Sequence, residues 1–183
     1  SYDFSVADFS VELDVNTPVS LKATLLDAEG GELDTVSLDA ESSCRVDFAS
    51  VENARLWSDE DPYLYSVLIE CGSEVIKIDT GARRVEIIGR VVYINGKKVK
   101  AKGVNRHDSH PYLGHATPME HMKRDVMIMK ANNVNFVRTS HYPNDPRFAE
   151  LCDKYGLYVC DEADVECHGA MRYAENLVIT DNP

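Results

Sequence analysis

The sequence predicts an all-β domain followed by the first units of a parallel α/β fold. Between residues 5 and 88 apolar and polar residues alternate, as at 19–25 (VSLKATL), and a period of two is typical of half-buried strands. After Gly89 the strand-like segments alternate with helix-like ones, which indicates parallel βα units. We therefore expect two domains, at residues 1–88 and 89–183.

Short strand-like runs separated by turn residues fill the first domain. Runs at 44–48, 64–70 and 75–79 are interrupted by turn sequences at 28–31 (AEGG) and 71–73 (CGS), because glycine and small polar residues accept turn conformations. Six or seven short strands are typical of an immunoglobulin-like β-sandwich.

The second domain is predicted to open with a hairpin and to continue through two helices. Asn95-Gly96 favours a type I′ turn, and Thr117 to Glu120 forms a capping box with proline at the first helical position. Asp145 before Pro146 predicts the N-cap of a second helix that ends at Gly156. The βα units belong either to an open doubly wound sheet or to an incomplete (β/α)8 TIM barrel, which typically takes about 250 residues.

Charge and cysteine content exclude several classes of partner. The chain has 19 basic and 31 acidic residues and a net charge of −12, so we expect no nucleic acid and no anionic membrane as partner. Its five cysteines form no CxxC pair, which fits reduced thiols in the cytoplasm. No run approaches the roughly 18 apolar residues that span a bilayer.

Polar residues follow each of the three predicted βα strands. The clusters lie at 105–110 (NRHDSH), 138–142 (RTSHY) and 161–168 (DEADVECH). A single histidine or arginine after a strand is more often solvated or satisfied in a core. Three consecutive strands that end in imidazole, guanidinium and carboxylate groups instead predict a functional site, because both α/β architectures place their sites at these strand ends.

Six sequence blocks follow one another between residues 51 and 170. The blocks are 55–58 (RLWS), 62–65 (PYLY), 103–108 (GVNRHD), 137–143 (VRTSHYP), 151–159 (LCDKYGLYV) and 161–169 (DEADVECHG). Together they resemble family 2 glycoside hydrolases. They cover about residues 51–170 in the family's order. The resemblance implies an immunoglobulin-like sandwich followed by the first three βα strands of a TIM barrel.

Residues 166–169 (ECHG) favour the β-galactosidase type within this family, because β-glucuronidases usually lack that segment. β-Glucuronidase and β-mannosidase specificities stay open as alternatives. The sequence departs from the family pattern at Ser109, Asp164 and Cys167, where His, Asn and Thr are common.

The resemblance also implies roles for individual residues. His107 and His141 match positions that contact the galactosyl ring and stabilise its transition state, and Arg138 matches an arginine of the sugar pocket. Glu166 and His168 match ligands of a magnesium ion. The alternatives are an ion pair of Arg138 with Asp161 or Glu162, and a surface pair of Glu166 with His168.

The complete parent enzyme is expected to be a homo-oligomeric retaining hydrolase of a β-galactoside such as lactose. Retaining enzymes use two carboxylates about 5 Å apart, and the resemblance places both glutamates after later strands. We therefore expect residues 1–183 alone to be inactive. The rival hypothesis is a complete non-catalytic module that binds carbohydrate or protein.

Overall fold

The computed structural model describes residues 4–165, and the chain separates into two units. The first unit comprises Ser1–Ala101 and Asp153–Gly156, and the second comprises Lys102–Cys152 and Leu157–Pro183. The domain boundary expected near residue 88 stays a prediction.

Eleven strands lie in the described part of the first unit. They are β1 (Val6–Ala7), β2 (Ser10–Leu13), β3 (Val19–Leu26), β4 (Glu32–Ala40), β5 (Cys44–Asp47), β6 (Val51–Glu52), β7 (Tyr65–Cys71), β8 (Glu74–Thr80), β9 (Val85–Ile88), β10 (Val91–Ile94) and β11 (Lys97–Lys98).

An antiparallel four-stranded sheet in the order β4-β3-β7-β8 and the antiparallel pairs β2-β5 and β1-β6 form the sandwich. The core lies between them and contains Phe9, Leu21, Ala23, Leu25, Ala40, Val46, Phe48, Tyr65, Val67, Ile69 and Ala82. The predicted sandwich is thus confirmed.

The alternation predicted from sequence is present in β3 and missing in β8. In β3, Leu21, Ala23 and Leu25 are buried, while Ser20 and Lys22 are exposed. In β8 the apolar residues Val75, Ile76 and Ile78 are all exposed. This strand is the edge of the sheet, so its neighbours cover less of its side chains than those of a central strand.

The strands β9, β10 and β11 form a separate antiparallel sheet. Its second hairpin turns at Asn95 and Gly96, whose φ angles are 50° and 72°. Two consecutive positive φ angles are the requirement of a type I′ turn, so the predicted turn is confirmed.

After β11 the chain follows the predicted order of strand, helix, strand, helix and strand. These elements are β12 (Gly103–Arg106), α1 (Met119–Ala131), β13 (Phe136–Thr139), α2 (Pro146–Tyr155) and β14 (Tyr158–Cys160). The strands form a parallel sheet in the order β12-β13-β14. Met122, Val126 and Met129 are the buried residues of α1 and recur at helical spacing, as an amphipathic helix requires.

The predicted caps of the two helices have different outcomes. The N-terminus of α2 is as expected, because Asp145 Oδ1 accepts the backbone N–H of Arg147 at 3.0 Å. The prediction of a capping box at the start of α1 is wrong. Its N-cap is Pro118 without a side-chain cap, and both the N–H and the hydroxyl of Thr117 donate to the carbonyl of His115.

Two further expectations concern cysteines and membranes. Cys44, Cys71, Cys152 and Cys160 form no disulfide among residues 4–165. In the same part of the chain no helix is long and apolar enough to cross a membrane.

Candidate functional site at the ends of three parallel strands

The parallel register brings the ends of β12, β13 and β14 together. Arg106 pairs with Thr139 in the register of β12 and β13, and Arg138 pairs with Cys160 in the register of β13 and β14. The N–H of Ser140 also donates to the carbonyl of Arg106 at 2.9 Å. The polar residues that follow these strands are therefore neighbours, as predicted for parallel sheets.

Arg138, His141 and Glu162 form a triangle of side chains. Arg138 Nε donates to Glu162 Oε1 at 2.7 Å, and Arg138 Nη2 lies 3.2 Å from His141 Nδ1. Glu162 Oε2 lies 3.3 Å from the same Nδ1 atom. The ion pair with Glu162, an alternative for Arg138 at the sequence level, is present. This ion pair leaves 37 % of the Arg138 side chain exposed, so the side chain remains accessible for the predicted contact with a sugar.

The triangle couples the orientation of His141 to a charged pair. A neutral imidazole carries its proton on one nitrogen, so Nδ1 either accepts from Arg138 or donates to Glu162. The hydrogen bond and the positive charge of Arg138, helped by His141, lower the pKa of the Glu162 carboxyl. Glu162 is therefore an anion at neutral pH, whereas a general acid needs a raised pKa. The geometry suits Glu162 to hold its neighbours in place.

His107 is exposed and lies beside His141. Their ring centroids are 5.5 Å apart and the rings meet edge to face, an arrangement that aromatic quadrupoles favour. The ring of Tyr142 lies 5.9 Å from that of His107. The predicted pair His107 and His141 is thus brought together, with a tyrosine that the sequence did not single out.

A second cluster, centred on Arg106, is buried. Arg106 and Asp108 are each 7 % exposed, and Arg106 Nη1 donates to Asp108 Oδ1 and to Asn144 Oδ1, each at 2.7 Å. Arg106 Nε donates to Asp125 Oδ2 at 3.0 Å, and the guanidinium stacks on the ring of Phe148 at 4.0 Å.

This buried cluster fixes the loops that follow β12 and β13. Asp108 Oδ2 accepts the backbone N–H of Asp145 at 2.8 Å, so the carboxylate joins the two loops. No described residue accepts a hydrogen bond from Arg106 Nη2. Sequence reasoning placed Arg106 and Asp108 in a polar cluster without a role, and Arg106 is the last residue of β12 and the only buried one of that strand.

Thr139 joins the end of β13 to the loop after β14. Its hydroxyl donates to Asp161 Oδ1 at 3.0 Å and accepts the N–H of Glu162 at 3.0 Å. This bond holds the backbone of Glu162 in register with Arg138. Asp161 therefore has a structural contact with Thr139.

The predicted magnesium ligands Glu166 and His168 lie outside the described residues. Within residues 4–165 no group of three or more His, Cys, Asp or Glu side chains is arranged to hold a metal ion. The magnesium site therefore stays a prediction.

The chain is similar to known glycosidases along its whole length. The family described as "Glycosyl hydrolases family 2" matches residues 2–85, and that described as "Glycosyl hydrolases family 2, TIM barrel domain" matches residues 85–183. A β-galactosidase of Halalkalibacterium halodurans is 41 % identical over 158 residues, which are 83 % of this chain and 16 % of that protein. A β-galactosidase of Vibrio cholerae is 51 % identical over 120 residues, which are 62 % of this chain and 12 % of that protein.

Among solved structures, a β-glucuronidase of Bifidobacterium dentium in complex with coumarin-3-O-glucuronide superposes with a TM-score of 0.79 at 26 % identity. The match covers 87 % of this chain and 27 % of that one. The match with the β-galactosidase of H. halodurans covers only about a sixth of the length of that protein.

Proposed function

Because the chain belongs to family 2 of the glycosyl hydrolases, we propose that it is part of a retaining β-galactosidase and supplies residues that bind the galactosyl ring. The chain contains the sandwich domain of this family and the start of its TIM barrel. The β-galactosidases that are 41 % and 51 % identical support the choice of galactose.

The observation that carries the proposal is the meeting of Arg138, His107 and His141 at one end of a parallel sheet. Their nitrogen atoms can hydrogen-bond sugar hydroxyls. Bonds to ring hydroxyls that strengthen as an oxocarbenium-like transition state develops contribute several kcal/mol to catalysis. The role of these three residues is therefore to bind and orient the glycosyl unit.

Three carboxylates at the described strand ends, those of Asp108, Asp161 and Glu162, already have partners. Asp108 is buried against Arg106, and Asp161 accepts from Thr139. Glu162 is held as an anion by Arg138. We accordingly propose that the acid/base and the nucleophile of the parent enzyme lie outside residues 1–183, as in the retaining scheme with two glutamates about 5 Å apart.

Charge pairing at the strand ends favours a neutral sugar over a uronic acid. A glucuronate carboxylate needs a cation whose charge is not already neutralised, whereas Arg106 and Arg138 are paired with carboxylates at 2.7 Å. The exposed part of the Arg138 side chain can still donate to a neutral hydroxyl. The chain as a whole carries a charge of −12, which disfavours an anionic substrate. This contrast supports galactose although the superposed structure is a β-glucuronidase.

The remaining parts of the proposal follow from the family resemblance. Glu166 and His168 would hold a magnesium ion. Such an ion would lower the pKa of a group bound to it and polarise an oxygen atom that it contacts. The substrate would be a β-galactoside such as lactose, and the parent a cytoplasmic homo-oligomer.

The test is to express the complete reading frame that contains this sequence and to compare kcat/KM for aryl β-galactoside, β-glucuronide and β-mannoside. We expect the galactoside to be preferred. Preference for the glucuronide or the mannoside would overturn the specificity. Purified residues 1–183 serve as a second sample, for which we expect no turnover, and hydrolysis by that sample would refute the placement of the two glutamates.

A further inference from the structure

Two short segments carry the imidazoles of the proposed site. The first segment, residues 106–108, lies at the end of β12 and contains His107, and the second segment, residues 140–145, follows β13 and contains His141. The centroids of the two rings are 5.5 Å apart. Hydrogen bonds weaken steeply when their geometry departs from the ideal, so one sugar ring can bond to both imidazoles only if this separation is maintained. The contacts between the two segments therefore determine how well the site is preorganised.

Hydrogen bonds join the two segments at both ends of the second one. At its start, the N–H of Ser140 donates to the carbonyl of Arg106 at 2.9 Å. At its end, Asn144 Oδ1 accepts from Arg106 Nη1 at 2.7 Å, and the N–H of Asp145 donates to Asp108 Oδ2 at 2.8 Å. The imidazole of the second segment thus lies between points that are fixed to the first segment.

The carboxylate of Asp108 uses both of its oxygen atoms in these contacts. Oδ1 accepts from Arg106 Nη1 at 2.7 Å, and Oδ2 accepts the N–H of Asp145. Arg106 and Asp108 are buried, whereas His107 between them is exposed. Because side chains alternate between the two faces of an extended strand, the burial of this ion pair directs His107 to the opposite, exposed side.

Arg106 is also anchored to both helices that follow β12. Its Nε donates to Asp125 Oδ2 of α1 at 3.0 Å, and its guanidinium stacks on the ring of Phe148 in α2 at 4.0 Å. A buried charge without a partner is strongly destabilising, but Asp125 still balances Arg106 when residue 108 is neutral. Asp108 can therefore be replaced by a neutral residue without leaving the guanidinium unpaired.

We propose that Asp108 is a positioning residue, whose carboxylate holds His107 and His141 at the separation that contact with the galactosyl ring requires. The inference rests on the proposed function. Asp108 is buried, so it acts through the two segments that carry the imidazoles rather than by contact with the sugar. A side chain that keeps the size of Asp108 but not its two acceptor atoms should therefore misplace the imidazoles without removing them.

Asp108→Asn in the complete enzyme provides this change. Its amide has one acceptor oxygen and one N–H₂ group, so either Arg106 or the N–H of Asp145 then faces another donor. We expect kcat for an aryl β-galactoside to fall about 10- to 100-fold with a smaller change in KM, because the bonds of positioned groups strengthen in the transition state. Inhibition by a galactose-configured iminosugar, a cationic transition-state analogue, should weaken more than inhibition by galactose. Equal weakening of both inhibitors would overturn the positioning role.

Asp125→Asn is the matched control, because it removes the other carboxylate from the same guanidinium and leaves the bonds between the two segments in place. Its kcat should stay close to that of the unmutated enzyme. Asn144→Ala removes a partly exposed acceptor of Arg106 and should lower kcat in the same direction as Asp108→Asn, so it provides the test if Asp108→Asn does not fold. An equal loss of kcat in the Asp125 and Asp108 variants would indicate general stabilisation and overturn the proposal.

A structural measurement separates this inference from the proposed function. In NMR spectra of the 183-residue chain, we expect a nuclear Overhauser effect between ring protons of His107 and His141. This signal should weaken in Asp108→Asn and persist in Asp125→Asn, and an unchanged signal in Asp108→Asn would overturn the positioning role. If the signals behave as expected and the unmutated complete enzyme does not hydrolyse the galactoside, the proposed function is refuted while the positioning of the two imidazoles by Asp108 stands.

Discussion

Glu162 uses both carboxylate oxygens, one on Arg138 and the other on His141. Oε1 accepts from Arg138 Nε at 2.7 Å and Oε2 lies 3.3 Å from His141 Nδ1. Because Thr139 fixes the backbone of Glu162, this carboxylate links the end of β14 to two proposed sugar contacts on β13 and the loop after it. It acts as a positioning residue in the proposed site.

The first prediction concerns Glu162→Gln in the complete enzyme. An amide keeps the shape but loses the charge that aligns Arg138 and His141, and loss of such a supporting partner typically lowers activity about 10- to 100-fold. We expect the loss in kcat more than in KM, because the aligned bonds strengthen in the transition state. Steady-state kinetics on an aryl galactoside gives this split. A wild-type kcat would contradict the positioning role.

The lowered pKa of Glu162 predicts the direction in which stability changes with pH, and this direction can be measured. The folded pKa is below the ordinary value of 4.5, so the stabilisation from this carboxylate is complete above that value and is lost as the pH falls through the folded pKa. Glu162→Gln should therefore flatten the acid limb of the stability curve of the 183-residue chain. Glu41→Gln, an exposed substitution in the first unit, should leave that limb as in the wild type.

A second prediction tests the N-terminus of α2. Asp145→Ala removes the side-chain cap on Arg147 N–H and should lower the free energy of unfolding by about 1 kcal/mol. Asp145→Asn keeps the cap and loses only the ionic contact with the Arg147 side chain. Urea unfolding followed by circular dichroism at neutral pH should rank wild type above Asn and Asn above Ala. Equal stability of Asn and Ala variants would show that the cap contributes nothing.

The pH dependence of the Asp145→Asn effect follows from the same contact. Hydrogen bonds from Arg147 lower the pKa of Asp145 from 3.8 to about 2. The carboxylate therefore adds stability above pH 3.8, and this addition disappears as the pH falls toward 2. The difference between wild type and Asp145→Asn should narrow over that interval. A constant difference would mean that the ionic contact is absent in solution.

A third prediction concerns Gly81, which packs against the single tryptophan of the chain. A Cβ atom at Gly81 would lie 2.6 Å from Trp57 Cβ, and Trp57 is fully buried. Gly81→Ala should destabilise the first unit by about 1 to 3 kcal/mol through overpacking. It should also change the fluorescence of folded Trp57, which needs no correction for other tryptophans.

Gly89→Ala is the matched control for Gly81→Ala. At Gly89 the φ angle is +64° and a Cβ atom would meet nothing within 4 Å, so alanine costs about 1 to 2 kcal/mol of backbone strain without touching the tryptophan. We expect lower stability with an unchanged emission spectrum of the folded state. Identical spectra for both variants would contradict the close contact of Gly81 with Trp57.

The fourth prediction tests the magnesium hypothesis in the complete enzyme. Glu166→Gln removes the charge that a hard dication prefers, so activity should fall and excess Mg²⁺ should partly restore it. His141→Ala should lower kcat by the equivalent of about 2 to 4 kcal/mol with little change in metal dependence. Measurements of kcat against Mg²⁺ concentration separate the two effects. A wild-type metal dependence of Glu166→Gln would remove this residue from the ligand set.

Local sequence patterns predicted those elements whose structure depends on near neighbours. Asn95-Gly96 forms its turn through its own positive φ angles, and Asp145 caps α2 through a bond to a residue two positions later. The stripe of Met122, Val126 and Met129 is set by helical periodicity. The capping box predicted at Thr117 is wrong because the carbonyl of His115 accepts hydrogen bonds from both the hydroxyl and the N–H of Thr117.

The sequence by itself determined the order of elements, the sandwich followed by parallel βα units, and the strand ends at which polar residues gather. It did not determine that Arg106 is buried with Asp108 while Arg138 stays accessible beside Glu162. Nor did it show that His115 meets Tyr142, 27 positions away. Periodicity reports which face of an element is buried, whereas contacts between distant side chains depend on strand register and on how each loop folds back over the sheet end.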